Sequence, residues 1–169
     1  EAINKLKTTW FPVVQLQERI TQLDNDNTLY DNVYIGKLVQ TSDNKVSFIP
    51  TNDMPIRSFK QSTNMMEGAL EIYEMPEKRS DGTNYRDRYC VGYDPVDNDV
   101  ANSSSFASAI VLDLFTDRIV AEWTGRYQMN DSNNEVVRLL CLFYNCKVLA
   151  ESNKKGWYTY FASRYNTNL

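Results

Sequence analysis

The sequence predicts a mixed α/β fold built on a sheet, and three observations lead to this prediction. Apolar runs of strand length recur at 88–94, 106–113 and 118–125. A helical pattern, a fourth apolar run and a second helical pattern follow them. The 169 residues are 42% hydrophobic and 24% charged, which is ordinary for a folded domain with its own core. We therefore expect one domain over residues 1–169.

The N-terminal third is predicted to lead into that sheet. About residues 1–30 form a helical lead-in, because Val13, Leu16 and Ile20 repeat at helical spacing. Residues 33–85 form a β-hairpin and a connecting region.

In this connecting region, residues 33–39 and 45–49 read as the two strands of the hairpin, with a polar turn at 42–44. A further strand is predicted at 69–73.

Residues 88–165 are predicted to form the core. Its first three strands are joined in order and should form an antiparallel meander. A helix follows, with Asp131 or Ser132 as its N-cap and Asn145 at its end. Its apolar face is expected to consist of Val136, Leu139, Leu140 and Phe143.

A fourth core strand at 146–151 and a helix at 155–165 complete the order. A strand reached through a helix should run parallel to the first strand, because such crossovers are right-handed. This order is that of the start of a ribonuclease H-like fold. In such a sheet 88–94 and 146–151 lie side by side, so Asp94 and Glu151 should meet at their C-terminal ends.

The composition restricts the chemistry that the chain can perform. It contains no histidine, which excludes Ser-His-Asp triads and zinc sites of the Cys/His type. Cys90, Cys141 and Cys146 have no CxxC spacing and indicate free thiols in a reducing compartment. Catalysis must then rest on carboxylates, which favour Mg²⁺ or Mn²⁺. No apolar run approaches the roughly 20 residues of a membrane helix.

Asp94 and Glu151 are the predicted catalytic residues and metal ligands. Two carboxylates at adjacent strand ends repel each other unless a cation lies between them. Two divalent ions about 3.5–4 Å apart can hold a scissile phosphate. The structural alternative is that Asp94 begins a turn before Pro95 and that Glu151 caps the next helix. Spacing alone favours neither reading.

Four further residues are candidates for supporting roles. Asp97 and Asp99 are candidate auxiliary ligands, and Lys154 and Lys155 are candidate contacts to DNA phosphates. A solvated loop is the more common reading for both pairs. Asp113, at a strand end beside a turn, is interpreted as structural.

Residues 89–95 end in Gly-Tyr-Asp-Pro, and this stretch resembles the strand with Gly-x-Asp-Pro of tailed-phage terminase large subunits, in their C-terminal nuclease domain. Residues 108–113 and 119–121 look like the two strands that follow there. Residues 139–156 are similar to the family's helix, turn and Glu-x-Asn-x-x-Gly motif. The likeness covers about residues 33–160, and the order and spacing of the motifs carry it.

The resemblance implies a ribonuclease H-like endonuclease that cuts concatemeric double-stranded viral DNA at a two-metal site of Mg²⁺ or Mn²⁺. It implies an ATPase domain, a small terminase subunit and a portal as partners. It also implies the cytoplasm of an infected bacterial host as the location, with transient binding to the procapsid.

Two departures from the family pattern are visible. The family's third catalytic carboxylate lies on a later helix, so we expect a domain truncated after the fourth core strand and the following helix. Residues 105–108 read Ser-Phe-Ala-Ser where many relatives carry an auxiliary aspartate. Two alternatives stay open: a non-catalytic docking fragment of a packaging motor, or another ribonuclease H-like nuclease such as a resolvase or integrase.

Overall fold

A computed structural model of the protein describes residues 12–25, 32–41, 45–57, 67–96, 105–152 and 156–164. The chain divides into two compact units, Glu1–Val33 and Tyr34–Leu169. The first contains helix α1 (Val13–Asn25), where the sequence predicts a helix. The second contains a sheet and two helices. Within the described ranges, every helix is too short or too polar to cross a membrane.

The second unit confirms the mixed α/β class. Its strands are β1 (Tyr34–Gln40), β2 (Val46–Pro50), β3 (Leu70–Ile72), β4 (Tyr89–Asp94), β5 (Ala107–Asp113), β6 (Arg118–Gly125) and β7 (Lys147–Ala150). Its helices are α2 (Asn130–Tyr144) and α3 (Gly156–Ser163). The seven strands form one sheet in the order β2-β1-β3-β6-β5-β4-β7. Each of these elements lies where the sequence predicts it, to within a few residues.

The pairing of the core strands follows the predicted topology. Strands β4, β5 and β6 form an antiparallel meander. Strand β7, reached through α2, pairs with β4 in parallel, with Val91 opposite Val148. The predicted hairpin of β1 and β2 is also confirmed, and β3 joins it to β6. The turn predicted at 42–44 lies outside the described residues.

The two faces of the sheet are different. On the helix face, against α2, the alternate residues Tyr89, Val91 and Tyr93 of β4 are buried. Because side chains alternate along a strand, Gly92 and Asp94 belong to the opposite face, called here the far face. The core of the unit therefore lies between the sheet and α2.

Helix α2 differs in two ways from its prediction. The N-cap prediction of Asp131 or Ser132 is wrong, because the helix begins at Asn130 after an extended Met129. Met129 makes no capping bond with its side chain. Its backbone carbonyl instead accepts a hydrogen bond from the Ser132 N–H at 3.0 Å, so the backbone itself closes the first turn.

The apolar face of α2 is rotated from the predicted one. Leu139 and Leu140 are buried as predicted, whereas Val136 and Phe143 are only partly buried. The fully buried positions also include Val137, Cys141 and Tyr144. The sheet therefore contacts a stripe about one residue further along the helix than apolarity alone indicates.

The end of α2 is the one that the sequence predicts. Asn145 has a φ of 52°, in the left-handed region that ends many helices. The backbone N–H of Cys146 then donates to the carbonyl of Cys141 at 2.9 Å, and β7 begins at Lys147. Cys90, Cys141 and Cys146 are free thiols, as predicted.

Candidate metal centre

Asp94 and Glu151 are neighbours at the C-terminal ends of two adjacent parallel strands. Tyr93 lies opposite Ala150, and the backbone N–H of Glu151 donates to the carbonyl of Tyr93 at 3.3 Å. The ladder thus continues one residue beyond β7. Neighbouring strands lie about 4.8 Å apart, so the predicted adjacency of the two strand ends is confirmed. The metal-ligand roles of Asp94 and Glu151 stay predictions.

Both carboxylates belong to the far face of the sheet. Val148 and Ala150 of β7 pack against the core on the helix face, whereas Leu149 between them is 74% exposed. Alternation then puts Glu151 on the same face as Leu149, as it puts Asp94 opposite to Tyr93. Both acidic residues are exposed, and their side chains share one surface.

Two hydroxyl groups continue this surface across the sheet. Ser108 of β5 lies directly opposite Asp94, and Thr124 of β6 lies directly opposite Ser108. The hydroxyls of Ser108 and Thr124 share a hydrogen bond at 3.4 Å. Glu151, Asp94, Ser108 and Thr124 thus form a polar row across four strands. The sequence reasoning missed both hydroxyl residues, although Ser108 interrupts an otherwise apolar strand.

The next row toward the middle of the sheet lacks polar side chains on β7, β4 and β5. Gly92 of β4 lies between Leu149 of β7 and Ile110 of β5. Ile110 is 40% exposed, and a Cβ on Gly92 would contact its side chain at 3.4 Å. The polar row is therefore bordered by apolar residues on β7 and β5, whereas Glu122 of β6 lies opposite Ile110.

Tyr93 connects the end of β4 to the N-terminal part of α2. Its hydroxyl donates to the Oδ1 atom of Asn134 at 3.0 Å, and the two side chains are only 4% and 2% exposed. Burial raises the pKa of the Tyr93 phenol well above its usual value, and the negative charge of Asp94 raises it further. The phenol is therefore a protonated donor throughout the neutral range.

A second asparagine ties the same helical turn to β6. Asn133 is fully buried, and its Oδ1 atom accepts a hydrogen bond from the backbone N–H of Tyr127 at 2.8 Å. Tyr127 follows the end of β6. The two asparagines, which the sequence reasoning did not single out, thus hold two strand ends against α2. Their polarity was no signal, because all six residues from Asn130 to Glu135 are polar.

Asp113 has the structural role that the sequence indicates. Arg88 donates to both of its carboxylate oxygens at 2.8–3.2 Å, and the backbone N–H of Phe115 donates at 2.9 Å. The hydrogen bonds from Arg88 lower the pKa of Asp113, and Phe115 adds to this effect. The rings of Tyr85, Tyr89 and Phe115 lie 5.3–5.4 Å from the guanidinium carbon.

The donor set of the candidate centre suits a hard divalent cation only in part. Carboxylate oxygens are the ligands that Mg²⁺ and Mn²⁺ prefer. Within the ranges that the structure describes, no group of three or more Asp, Glu, Cys or His residues could hold a metal. Asp97, Asp99, Lys154 and Lys155 lie outside the described residues. Their auxiliary and DNA-contacting roles stay predictions.

A cavity of about 480 Å³ lies elsewhere, on the helix face. Its wall includes Leu38 of β1, Leu70 of β3 and Trp123 of β6, and residues of helices α2 and α3 line its other side. Neither Asp94 nor Glu151 lines it. The carboxylate pair is therefore a surface site and not part of this cavity.

No family model, curated protein or solved structure matches this chain.

Proposed function

We propose that the protein is the metal-dependent endonuclease domain, of ribonuclease H-like fold, of a viral DNA-packaging terminase. It would cut double-stranded DNA by two-metal phosphodiester hydrolysis. The observation that carries the proposal is the parallel pairing of β4 with β7, which brings Asp94 and Glu151 together on one exposed face. The order of motifs along the chain is the second support.

In this proposal Asp94 and Glu151 hold Mg²⁺ or Mn²⁺ through their carboxylate oxygens. When bound, such a cation supplies charge neutralisation at a phosphate and activates a coordinated water. Ser108 and Thr124 extend the acidic end of the polar row with groups that can donate hydrogen bonds. Hydroxyls of this kind commonly contact phosphate oxygens. The row therefore offers both ligands for cations and donors for a nucleic-acid backbone.

The exposure of the pair favours a large substrate over a small one. Small molecules are usually bound in enclosed pockets, and the described cavity is separate from the carboxylates. A stiff duplex cannot enter such a cavity but can lie across an exposed sheet edge. Double-stranded DNA fits this geometry, with Lys154 and Lys155 proposed to contact its phosphates.

The wider setting is proposed from the motifs alone. An ATPase domain, a small terminase subunit and a portal would be the partners. The site of action would be the cytoplasm of an infected bacterium, with transient binding to the procapsid.

Calorimetric titration with Mn²⁺ tests the site directly. Asp94→Asn and Glu151→Gln should each weaken binding by more than the roughly 10–100-fold that loss of an outer-shell partner costs. Asp117→Asn is a matched control, because Asp117 is exposed in the turn after β5 and its positive φ suits asparagine. Unchanged Mn²⁺ affinity in both site variants would reject the assignment.

A cleavage assay on linear duplex DNA tests the reaction. Asp94→Asn and Glu151→Gln should abolish any Mn²⁺-dependent cutting, whereas Asp117→Asn should cut as the wild type does. Full cutting by both site variants would contradict the proposal.

A docking module of a packaging motor is the second candidate. The exposed Leu149 and Ile110 beside the carboxylates favour it, because apolar side chains in a flat surface suit protein contact. Absence of Mn²⁺ binding in the wild-type chain would put this candidate ahead of the nuclease.

A further inference from the structure

Tyr93 contacts both halves of the candidate metal centre through its backbone. Its carbonyl accepts the hydrogen bond from the Glu151 N–H at 3.3 Å, and its peptide bond joins it to Asp94. Its side chain points the other way, to the helix face, where its hydroxyl reaches Asn134 at 3.0 Å. One residue thus links two exposed carboxylates to a buried anchor.

We propose that Tyr93 and Asn134 are a positioning pair for Asp94 and Glu151. This inference rests on the proposed function and adds to it the device that sets the spacing of the ligands. The hydrogen bond fixes the end of β4 relative to α2, and β7 follows because its ladder bond ends on the Tyr93 carbonyl.

Burial and direction make this bond suitable for positioning. Breaking a hydrogen bond between a buried hydroxyl and a buried amide costs free energy, because both groups are then left without a partner. The pair therefore strongly prefers one arrangement. Apolar contacts such as those of Val91 hold the strand on the helix but set no direction along it. The two repelling carboxylates need such a constraint because nothing in their own charges holds them together.

Tyr144, the last residue of α2, offers a matched comparison. It is also buried, and its hydroxyl donates to the carbonyl of Glu74 at 2.8 Å. Tyr93→Phe and Tyr144→Phe each remove one buried hydroxyl and leave one acceptor unpaired. If Tyr93 were merely structural, the two variants should show the same exchange of the Glu151 amide and the same Mn²⁺ affinity.

Amide hydrogen exchange of the Glu151 N–H, measured in metal-free buffer, is the first test. Tyr93→Phe should speed this exchange roughly tenfold relative to Tyr144→Phe, since the acceptor strand is no longer anchored. Asn134→Ala should give the same result and replaces Tyr93→Phe if that variant does not fold. Equal exchange of Glu151 in the variants with altered Tyr93 and Tyr144 would overturn the proposal.

Mn²⁺ titration of the same variants is the second test. Tyr93→Phe should lower the affinity roughly tenfold, as loss of an outer-shell partner does, and Tyr144→Phe should leave it unchanged. If Asp94→Asn abolishes binding but Tyr93→Phe binds as the wild type does, the positioning role is wrong and the nuclease proposal stands. If the wild type binds no Mn²⁺, the nuclease proposal fails, and the exchange experiment decides the anchor by itself.

Discussion

Asp94 and Asp113 end the neighbouring antiparallel strands β4 and β5, so they lie at opposite ends of this strand pair. Their surroundings differ. Asp113 ends β5, is 1% exposed and is held by Arg88. Asp94 ends β4, is exposed and lies beside a second carboxylate, Glu151. Each follows an apolar strand in the sequence, so the local pattern does not distinguish them.

Asp113 thus serves stability, whereas for Asp94 we propose a role in chemistry. A buried carboxylate is stable only when its charge is compensated, and Arg88 provides this for Asp113. Asp94 has a second carboxylate, Glu151, as its neighbour on the adjacent strand. We propose that this pair of carboxylates accepts a cation.

Replacing each aspartate by asparagine should break the comparison most clearly. Asp113→Asn leaves the largely buried Arg88 with only the exposed Glu77 as a counter-charge and should lower the free energy of unfolding by about 3 kcal/mol. Urea denaturation monitored by tryptophan fluorescence gives this value. A loss below about 1 kcal/mol would mean that the ion pair is not structural.

Acid should reduce the contribution of Asp113 to the free energy of unfolding. Because hydrogen bonds from Arg88 lower the pKa of Asp113, its contribution to stability is fully present above its ordinary pKa of 3.8. It is lost as the pH falls below that value through the lowered pKa. In urea titrations at a series of pH values, the stability difference between wild type and Asp113→Asn should shrink below about pH 4. A constant difference down to about pH 2 would contradict this mechanism.

Substitutions in the carboxylate pair should have the smallest effect on stability. Asp94→Asn and Glu151→Gln remove like-charge repulsion at an exposed site, so in metal-free buffer the free energy of unfolding should change by less than about 0.5 kcal/mol. Added Mn²⁺ should raise the midpoint of the wild type but not of the variants. A large loss of stability in metal-free buffer would identify Asp94 as structural, like Asp113.

The parts of the fold that depend on local pattern could be predicted from the sequence. Apolar runs marked β4 to β7, and the crossover rule gave the parallel pairing of β7 with β4. This pairing in turn predicted that Asp94 and Glu151 lie next to each other. Asn145, a residue that tolerates the left-handed region, marked the end of α2.

The polar contacts inside the core could not be predicted in this way. Tyr93 and Asn134 are 41 residues apart, and Arg88 and Asp113 are 25 apart. Such partners are selected by the packing of whole elements, which leaves no periodicity in the sequence. The N-cap of α2 was mispredicted for a related reason, because residues suited to capping were present but the backbone closed the turn earlier.

The connection between α2 and β7 is short, with only Asn145 and Cys146 between the two elements. Asn145 turns the backbone, Cys146 bonds back to the helix, and Lys147 already belongs to the strand. One inserted residue here would shift β7 by one position against β4, and every side chain of β7 would change face. Glu151 would then turn toward the core, and Ala150 would take its place beside Asp94. The length of this junction, and not only the presence of glutamate, is therefore under constraint.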